Sequence, residues 1–445
     1  MNKSTVMIVT FLLMISLKLS AKEYKVQSAA DVRALRLSPG DQVILTGSNW
    51  KDQELIFKGK GTKEQPIVMK TEFPGKTQLT GNSTLKIDGT WLVVDGLSFT
   101  DGYIEKGDVI AFSAQSTWCR LTNTSVVDYN NPDKKADYRW VSLYGFHNRV
   151  DHCFLKGKTT QATTLVVWLS DQPNYHQIDH NYFGPRPELG GNGGETIRIG
   201  TSTWSMYDSF TTVEYNIFEH CDGEIEAISN KSGKNTIRNN LFYECKATLT
   251  LRHGNQSEVY GNFFIGNHKP GTGGVRVIGE GHKVHDNYMQ SLTGTGLSAA
   301  VAVMAGLPNP VLTSHWQVKD ATISNNLIVD CKEPFAVGAG YNPDRYLPAL
   351  NTSFTDNTIA GNKAPVKFYD PKVDITFHNN VLIGKPAAMP AKGFTVSNLS
   401  LKGTEYGLFL KPGQAAYIPF WKTEKIGPDW AGNLVSAIRV ESIKL

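Results

Sequence analysis

An asparagine that returns at nearly fixed intervals constrains this chain more than any other feature. The pattern is an apolar or β-branched residue, two mostly polar residues, Asn, then two apolar residues. It recurs as "IDHNYF" ending at Phe183, "VEYNIF" at Phe218, "IRNNLF" at Phe242, "VYGNFF" at Phe264, "VHDNYM" at Met289, "ISNNLI" at Ile328, "FTDNTI" at Ile359 and "FHNNVL" at Leu382. Degenerate copies, "VDGLSF" ending at Phe99 and "VDHCFL" at Leu155, extend the series toward the N-terminus. The asparagines are Asn181, Asn216, Asn240, Asn262, Asn287, Asn326, Asn357 and Asn380, with steps of 35, 24, 22, 25, 39, 31 and 23 residues. A base step of 22 to 25 with insertions accommodates three short strands and three turns, one coil of a solenoid whose coils stack at ~4.8 Å. The repeat predicts an all-β, right-handed parallel β-helix, with each Asn at an inside bend, bonded to backbone and to the Asn of the next coil. A leucine-rich solenoid is excluded because its regularly spaced leucines are missing.

The flanks differ from the repeat. Residues 1–21 carry Lys3, an apolar stretch from Val6 to Leu17, then Ser20 and Ala21, which reads as a secretory signal peptide. A secreted or periplasmic protein is therefore expected, and the absence of Cys after the cleavage point argues against a lipid anchor. The β-helix is expected over residues 22–384, with a short helix at Ala29 to Leu37 plugging its first coil. Residues 385–445, without the repeat, are expected to form a C-terminal coil that covers the other end. The net charge of +4 includes two lysines of the leader, so bulk charge points to neither nucleic acid nor a membrane as partner. A monomer is expected. Cys221, Cys245 and Cys331 each follow their coil's Asn by five residues and read as buried thiols, with a Cys221–Cys245 disulfide as the minor alternative.

One region is charged where a solenoid strand need only be polar. "EIEAISNKS" places Glu224 and Glu226 one residue apart, with Lys231 close behind. On a strand both carboxylates would leave the same face about 7 Å apart, with Ile225 and Ala227 pointing inward. Aligning coils on their asparagines sets the pair beside Thr248 and Thr250 of "TLTLRHG", which ends in Arg252 and His253. Neighbouring coils supply Arg198 in "ETIRIG" and Arg276 in "GGVRVIG". An exposed sheet with ordinary cross-strand ion pairs would also carry such charges. Two carboxylates on one strand instead suit a hard cation such as Ca²⁺, which takes carboxylate and Asn oxygens at ~2.3–2.6 Å. Asn192, in the Gly-rich "GGNGGE" loop, is the best-placed third ligand. Tyr341 and Tyr346, after the strand "PFAVG", could stack on sugar rings.

From "NGGETIRIG" through "EIEAISNKS" and "LRHG" to "GGVRVIG", the chain resembles the polysaccharide lyase family that contains alginate lyases and chondroitinase B. The resemblance implies Ca²⁺ held by Asn192, Glu224 and Glu226, Lys231 as Brønsted base and Arg252 as Brønsted acid. It places His253 and Arg276 at positions that bind an anionic polysaccharide; Arg198, on the same charged face, and Tyr341 are further candidates for contact with it. Chondroitinase B has further basic residues for sulfate; here the stretch from Asn287 to Val337 holds no Arg, which favours alginate over a dermatan sulfate substrate. A hydrolase of the polygalacturonase type would need clustered aspartates, which the charged face lacks, and a non-catalytic adhesin is the remaining alternative.

Overall fold

A computed structural model describes residues 21–372, 374–388, 392–441 and 443; the signal-peptide reading of residues 1–20 lies outside the described residues. The chain winds as a right-handed parallel β-helix built from three long sheets of 14, 12 and 14 strands. The first sheet runs from Glu23–Val26 to Ile375–His378, the second from Glu54–Lys60 to Val366–Phe368, and the third from Asn49–Lys51 to Phe394–Ser397. Each coil contributes one strand to each sheet, and every pairing between them is parallel. An antiparallel strand pair, Lys402–Gly403 with Phe409–Leu410, belongs to the tail, and an isolated antiparallel bridge joins Gly306 to Leu347.

The repeated asparagines form the expected ladder. From Asn181 to Asn380 each is buried, and the side-chain amide of each donates to the Oδ1 of the next at 2.9–3.0 Å. The same Oδ1 also accepts the backbone N–H of the preceding Asn. The residue just before each Asn turns left-handed: His180, Tyr215, Asn239, Gly261, Asp286, Asn325, Asp356 and Asn379 have φ between 52 and 64°. Asn, Asp and Gly tolerate that region best, which accounts for their frequency there. Cys153 takes the ladder position in "VDHCFL", its N–H donating to Asn181 Oδ1 at 2.9 Å. Inside, the phenylalanines two residues after the asparagines stack as Phe183, Phe218, Phe242 and Phe264, with centroids 4.9, 4.7 and 4.6 Å apart. Such pairs add ~0.5–1.5 kcal/mol each beyond their burial.

A second ladder, invisible to an asparagine search, runs along the corner between the second and first sheets. Backbone N–H groups there donate to Asn148 Oδ1, His176 Nδ1, Asn235 Oδ1, Ser257 Oγ and His282 Nδ1 in turn. Because Nδ1 accepts, His282 carries its proton on Nε2, which donates to the Ile278 carbonyl at 2.9 Å. Burial lowers the pKa of His176 to about 3 and of His282 to about 4. The unfolded chain takes up these protons near pH ~6.5, so their contribution is complete above that value and is lost as pH falls toward the folded values. Stability should decline by up to ~1.4 kcal/mol per pH unit for each ring. Urea midpoints compared between pH 7 and pH 4.5 should fall less in His282→Asn than in wild type, because Asn offers the same acceptor without a proton site. Equal slopes for the two proteins would contradict this assignment.

The helix expected at Ala29 to Leu37 is shorter, Ala29–Ala34, capped by Ser28, whose hydroxyl accepts the Asp31 N–H. Its buried Ala29 and Val32 join the core of the first coils. The tail departs from expectation in part. Its first strand, Phe394–Ser397, stacks on Asn380–Ile383 at the far end as expected, but the rest runs back along the outside of the third sheet, burying Leu408, Trp421, Ile426 and Ile438 against Ile217, Leu241, Tyr288 and Leu327. Gly427 donates to the His180 carbonyl and Trp430 Nε1 to that of Asn123. The third sheet leaves apolar residues such as Ile217 and Leu241 on its outer face, and the tail covers them. The five cysteines are free and buried; Cys221 N–H faces Cys245 Sγ at 3.5 Å without a disulfide.

Candidate active site

Four adjacent strands of the twelve-stranded sheet carry the charged face: Ile197–Ile199, Glu226–Lys231, Thr248–His253 and Val275–Val277. Their register aligns Arg198 with Ser229, Ser229 with Thr250 and Thr250 with Arg276. The asparagine alignment had set Glu226 beside Thr250; instead Glu226 pairs with Thr248. Glu226 lies ten residues after Asn216 but Thr248 only eight after Asn240, so two extra residues in the loop before Glu226 cause the shift, and two irregularities follow it along the strands. Ala227 is an extra residue on its strand, and Arg252 is extra on the next, between the pairs Asn230–Leu251 and Lys231–His253. Such bulges re-aim side chains, and around them Glu226 meets Arg276, Lys231 meets Glu195 and Arg252 meets the Ser314 carbonyl.

The two glutamates therefore do not share a strand face. Glu224 lies in the loop before the strand, Ile225 is 40% exposed rather than inward, and Glu226 opens the strand, buried. Glu226 already has a cation: Arg276 Nη2 donates to its Oε1 at 2.6 Å, and Ser229 Oγ donates to Oε2. A third carboxylate, which sequence reading missed, joins them. Glu195, buried at the end of the Gly-rich loop, meets Lys231 Nζ at 3.5 Å. Glu224 alone of the three has no ion pair among the described residues. Burial, then the charges of Glu195 and Glu226, push its pKa up to about 8.

The Ca²⁺ expectation can be set against this donor set. Asn192 and Glu224 line one cavity of about 450 Å³, and their loops touch backbone to backbone. A Cβ on Gly194 would lie 2.2 Å from the Gly223 carbonyl oxygen, and one on Gly223 2.2 Å from that of Gly194. Beneath them the buried Arg186 guanidinium donates to the carbonyls of Thr160, Ala162 and Glu195, each at 2.7 Å. Two carboxylates and an amide oxygen are hard ligands, and a carboxylate held this unfavourably is one that a divalent cation would relieve, so the residues fit calcium chemistry. Among the described residues, no three His, Cys, Asp or Glu side chains converge on a single point. Gly223→Ala should push the loops apart while leaving the coils folded, lowering turnover at least ~10-fold with little change in melting temperature. Unchanged turnover in that variant would show that the loop contact does not position the site.

Basic groups close the other side. Arg252 donates to the carbonyls of Ser314 and Thr313 at 3.0 and 3.3 Å, so a loop from two coils away in the stack lies against it. Ser205 Oγ reaches the Leu312 carbonyl at 3.5 Å, linking that loop to the one after Ile197–Ile199. His253 is buried, its Nδ1 unpaired, and burial together with the charges of Arg252, Lys231 and His315 lowers its pKa to about 3. Its imidazole is neutral at ordinary pH. His315 and Arg345 are further residues that sequence reading missed: burial and the charges of Arg252, Arg345 and Arg276 bring His315 to about 3. The stretch without Arg before Val337 thus does not leave the cleft without a further guanidinium. Arg198 stands with its guanidinium 5.5 Å from the Trp168 ring and its Nε unpaired. Tyr341 is 42% exposed, on the loop whose turn Arg345 holds by donating to the Gly340 carbonyl at 2.7 Å. Arg276, expected to face a substrate, is buried against Glu226 and Thr250.

Fold and site together define a parallel β-helix protein with one charged cleft on its twelve-stranded sheet. The model of the chondroitinase B family matches residues 26–420, and the chain belongs to that family. Among solved structures, the PL6 family alginate lyase AlyGC is 39% identical with a TM-score of 0.84, over 92% of this chain and 57% of that chain. The present chain thus spans just over half the length of that relative. A mannuronic acid specific polysaccharide family 6 lyase from human gut microbiota is 33% identical, with a TM-score of 0.78 over 85% of this chain and 92% of that one. The PL6 family polysaccharide lyase Pedsa3628 from Pseudopedobacter saltans is 27% identical, with a TM-score of 0.71 over 86% and 98%. No curated protein matches the chain.

Proposed function

We propose that the protein is an exported polysaccharide lyase that cleaves 4-O-linked uronic acid polymers, alginate first among them, by β-elimination. The observation that carries this reading is the Lys231 amine held beside the buried carboxylate of Glu195, on the strand next to the one that carries the bulged Arg252. The structure of a mannuronic acid specific lyase that shares most of its length with this chain supports the choice of substrate.

β-Elimination must remove the C5 proton of a uronate, which is poorly acidic because the adjacent carboxylate resists further negative charge. Asn192, Glu224 and Glu226 would hold Ca²⁺, which when bound neutralises the substrate carboxylate and the charge that develops beside it. Lys231 Nζ, in its neutral form, takes the C5 proton; the C4–O4 bond breaks, C4 and C5 become doubly bonded, and O4 leaves. Glu195 orients the amine. Arg252 stabilises the departing O4, and because arginine seldom gives up a proton, water completes its protonation. Arg276 holds Glu226 in place, while His253, Arg198 and Tyr341 contact the sugars on either side.

A dermatan sulfate lyase is the second reading, favoured by Arg345 near Arg276. The test is ultraviolet absorbance of unsaturated sugar ends with block-defined alginates and dermatan sulfate as parallel substrates. Absorbance should rise with alginate, most with mannuronate blocks; a rise with dermatan sulfate alone would move the assignment to the second reading.

A further inference from the structure

The corner that leads from the twelve-stranded sheet into the first sheet carries an aromatic ring on each of five successive coils: Trp91, Trp118, His147, Tyr175 and Phe210. The rings stack with centroids 5.3, 4.1, 5.1 and 5.1 Å apart and planes within 14° of parallel. All five have φ between 51 and 57°, a conformation that bulky side chains adopt rarely and at a cost. Burial does not repay that cost, since Trp118 is 45%, Tyr175 43% and Phe210 36% exposed.

A groove of about 470 Å³ runs between this ladder and the outer face of the first sheet. Its floor is a register-aligned column, Val93, Arg120, Arg149, Gln177 and Thr212. Arg120 grips buried Asp151 through Nε and Nη2, and Arg149 grips Asp179 in the same way one coil on. These pairs fix both guanidinium groups, and the Nη1 of each donates to no group among the described residues. Lys63 lines one end of the groove, and Lys234 lies 5.4 Å from the Phe210 ring at the other end of the ladder. The inner rings have both faces covered by their neighbours, so they turn edges toward the groove, and ring edges carry the positive end of the aromatic quadrupole. Edges, guanidinium groups and ammonium groups all favour an anion, and the groove's volume suits a few sugar units.

We propose that this groove is a second, non-catalytic binding site for an anionic saccharide, holding a stretch of uronate polymer outside the cleft. The identity of that occupant rests on the reading of the protein as acting on uronic acid polymers. Two variants test it. Trp118→Ala breaks the ladder at its most exposed ring, and Gln177→Glu places a negative charge in the column without removing packing. Migration in native gels containing polymannuronate gives polymer affinity, and turnover of a short uronate oligosaccharide reports the cleft alone. Both variants should bind polymer roughly fivefold to tenfold more weakly, with oligosaccharide turnover unchanged. Wild-type retardation in a folded Gln177→Glu protein, or no retardation of the wild type itself, would overturn the site. Gel retardation is read without any turnover, so it still decides the matter if the protein proves not to be a lyase.

Discussion

Replacing Lys231 with alanine should lower turnover at least ~10²-fold, the loss expected when a positioned general base is removed. Alanine also leaves buried Glu195 without its cation, so a loss of activity in that variant alone could reflect disturbed packing. Lys231→Arg separates the two effects. Arginine keeps a positive charge beside Glu195 but does not deprotonate at working pH, so it preserves the ion pair and cannot take the C5 proton. It should melt close to wild type and turn over nearly as slowly as alanine. Turnover near wild type in Lys231→Arg would mean that the residue acts by charge, and the base would have to be sought elsewhere in the cleft.

Removal of divalent cations should abolish turnover, and Ca²⁺ should restore it. The argument is the unequal treatment of the three carboxylates: Glu226 has Arg276, Glu195 has Lys231, and Glu224 has no partner within ion-pair distance among the described residues. A carboxylate pushed up to about 8 by burial and by its acidic neighbours is one that a bound cation would relieve. Binding to the folded state alone should raise the melting temperature with Ca²⁺ concentration. Glu224→Gln should lose both the restored turnover and the Ca²⁺-dependent rise in melting temperature. A chelated, metal-free protein with full turnover would remove the cation from the mechanism.

The fold was legible because one residue does one job on every coil. Each ladder Asn must bond both the coil before and the coil after, so its spacing reports coil length directly. The second ladder does the same work with Asn, His and Ser interchangeably, and that mixture hides it. The site was legible as a set of residues and illegible in its register. Counting from Asn216 and Asn240 assumes equal coils, but two extra residues before Glu226 break that assumption, and the extra Ala227 and Arg252 change the register again where the charges sit. Glu195 stands three residues after Asn192 at the end of the same glycine-rich loop "GGNGGE", a place from which it could have been found. His315 and Arg345 could not, because they come from long insertions on later coils whose return to Arg252 depends on loop paths that no periodicity encodes. The tail's course had no sequence signal either: apolar residues such as Leu408 and Trp421 pair with an outer sheet face that only the folded stack reveals.

The central claim, that the chain breaks a uronic acid polymer by elimination, is tested most directly by cleaving polymannuronate in water enriched in heavy oxygen and weighing the products. Elimination adds no water, so the products should end in an unsaturated sugar and, beyond the slow exchange at the reducing end measured on a pre-cleaved control, should carry no solvent oxygen. Saturated products that gain one solvent oxygen for each bond cut would identify hydrolysis and contradict the account.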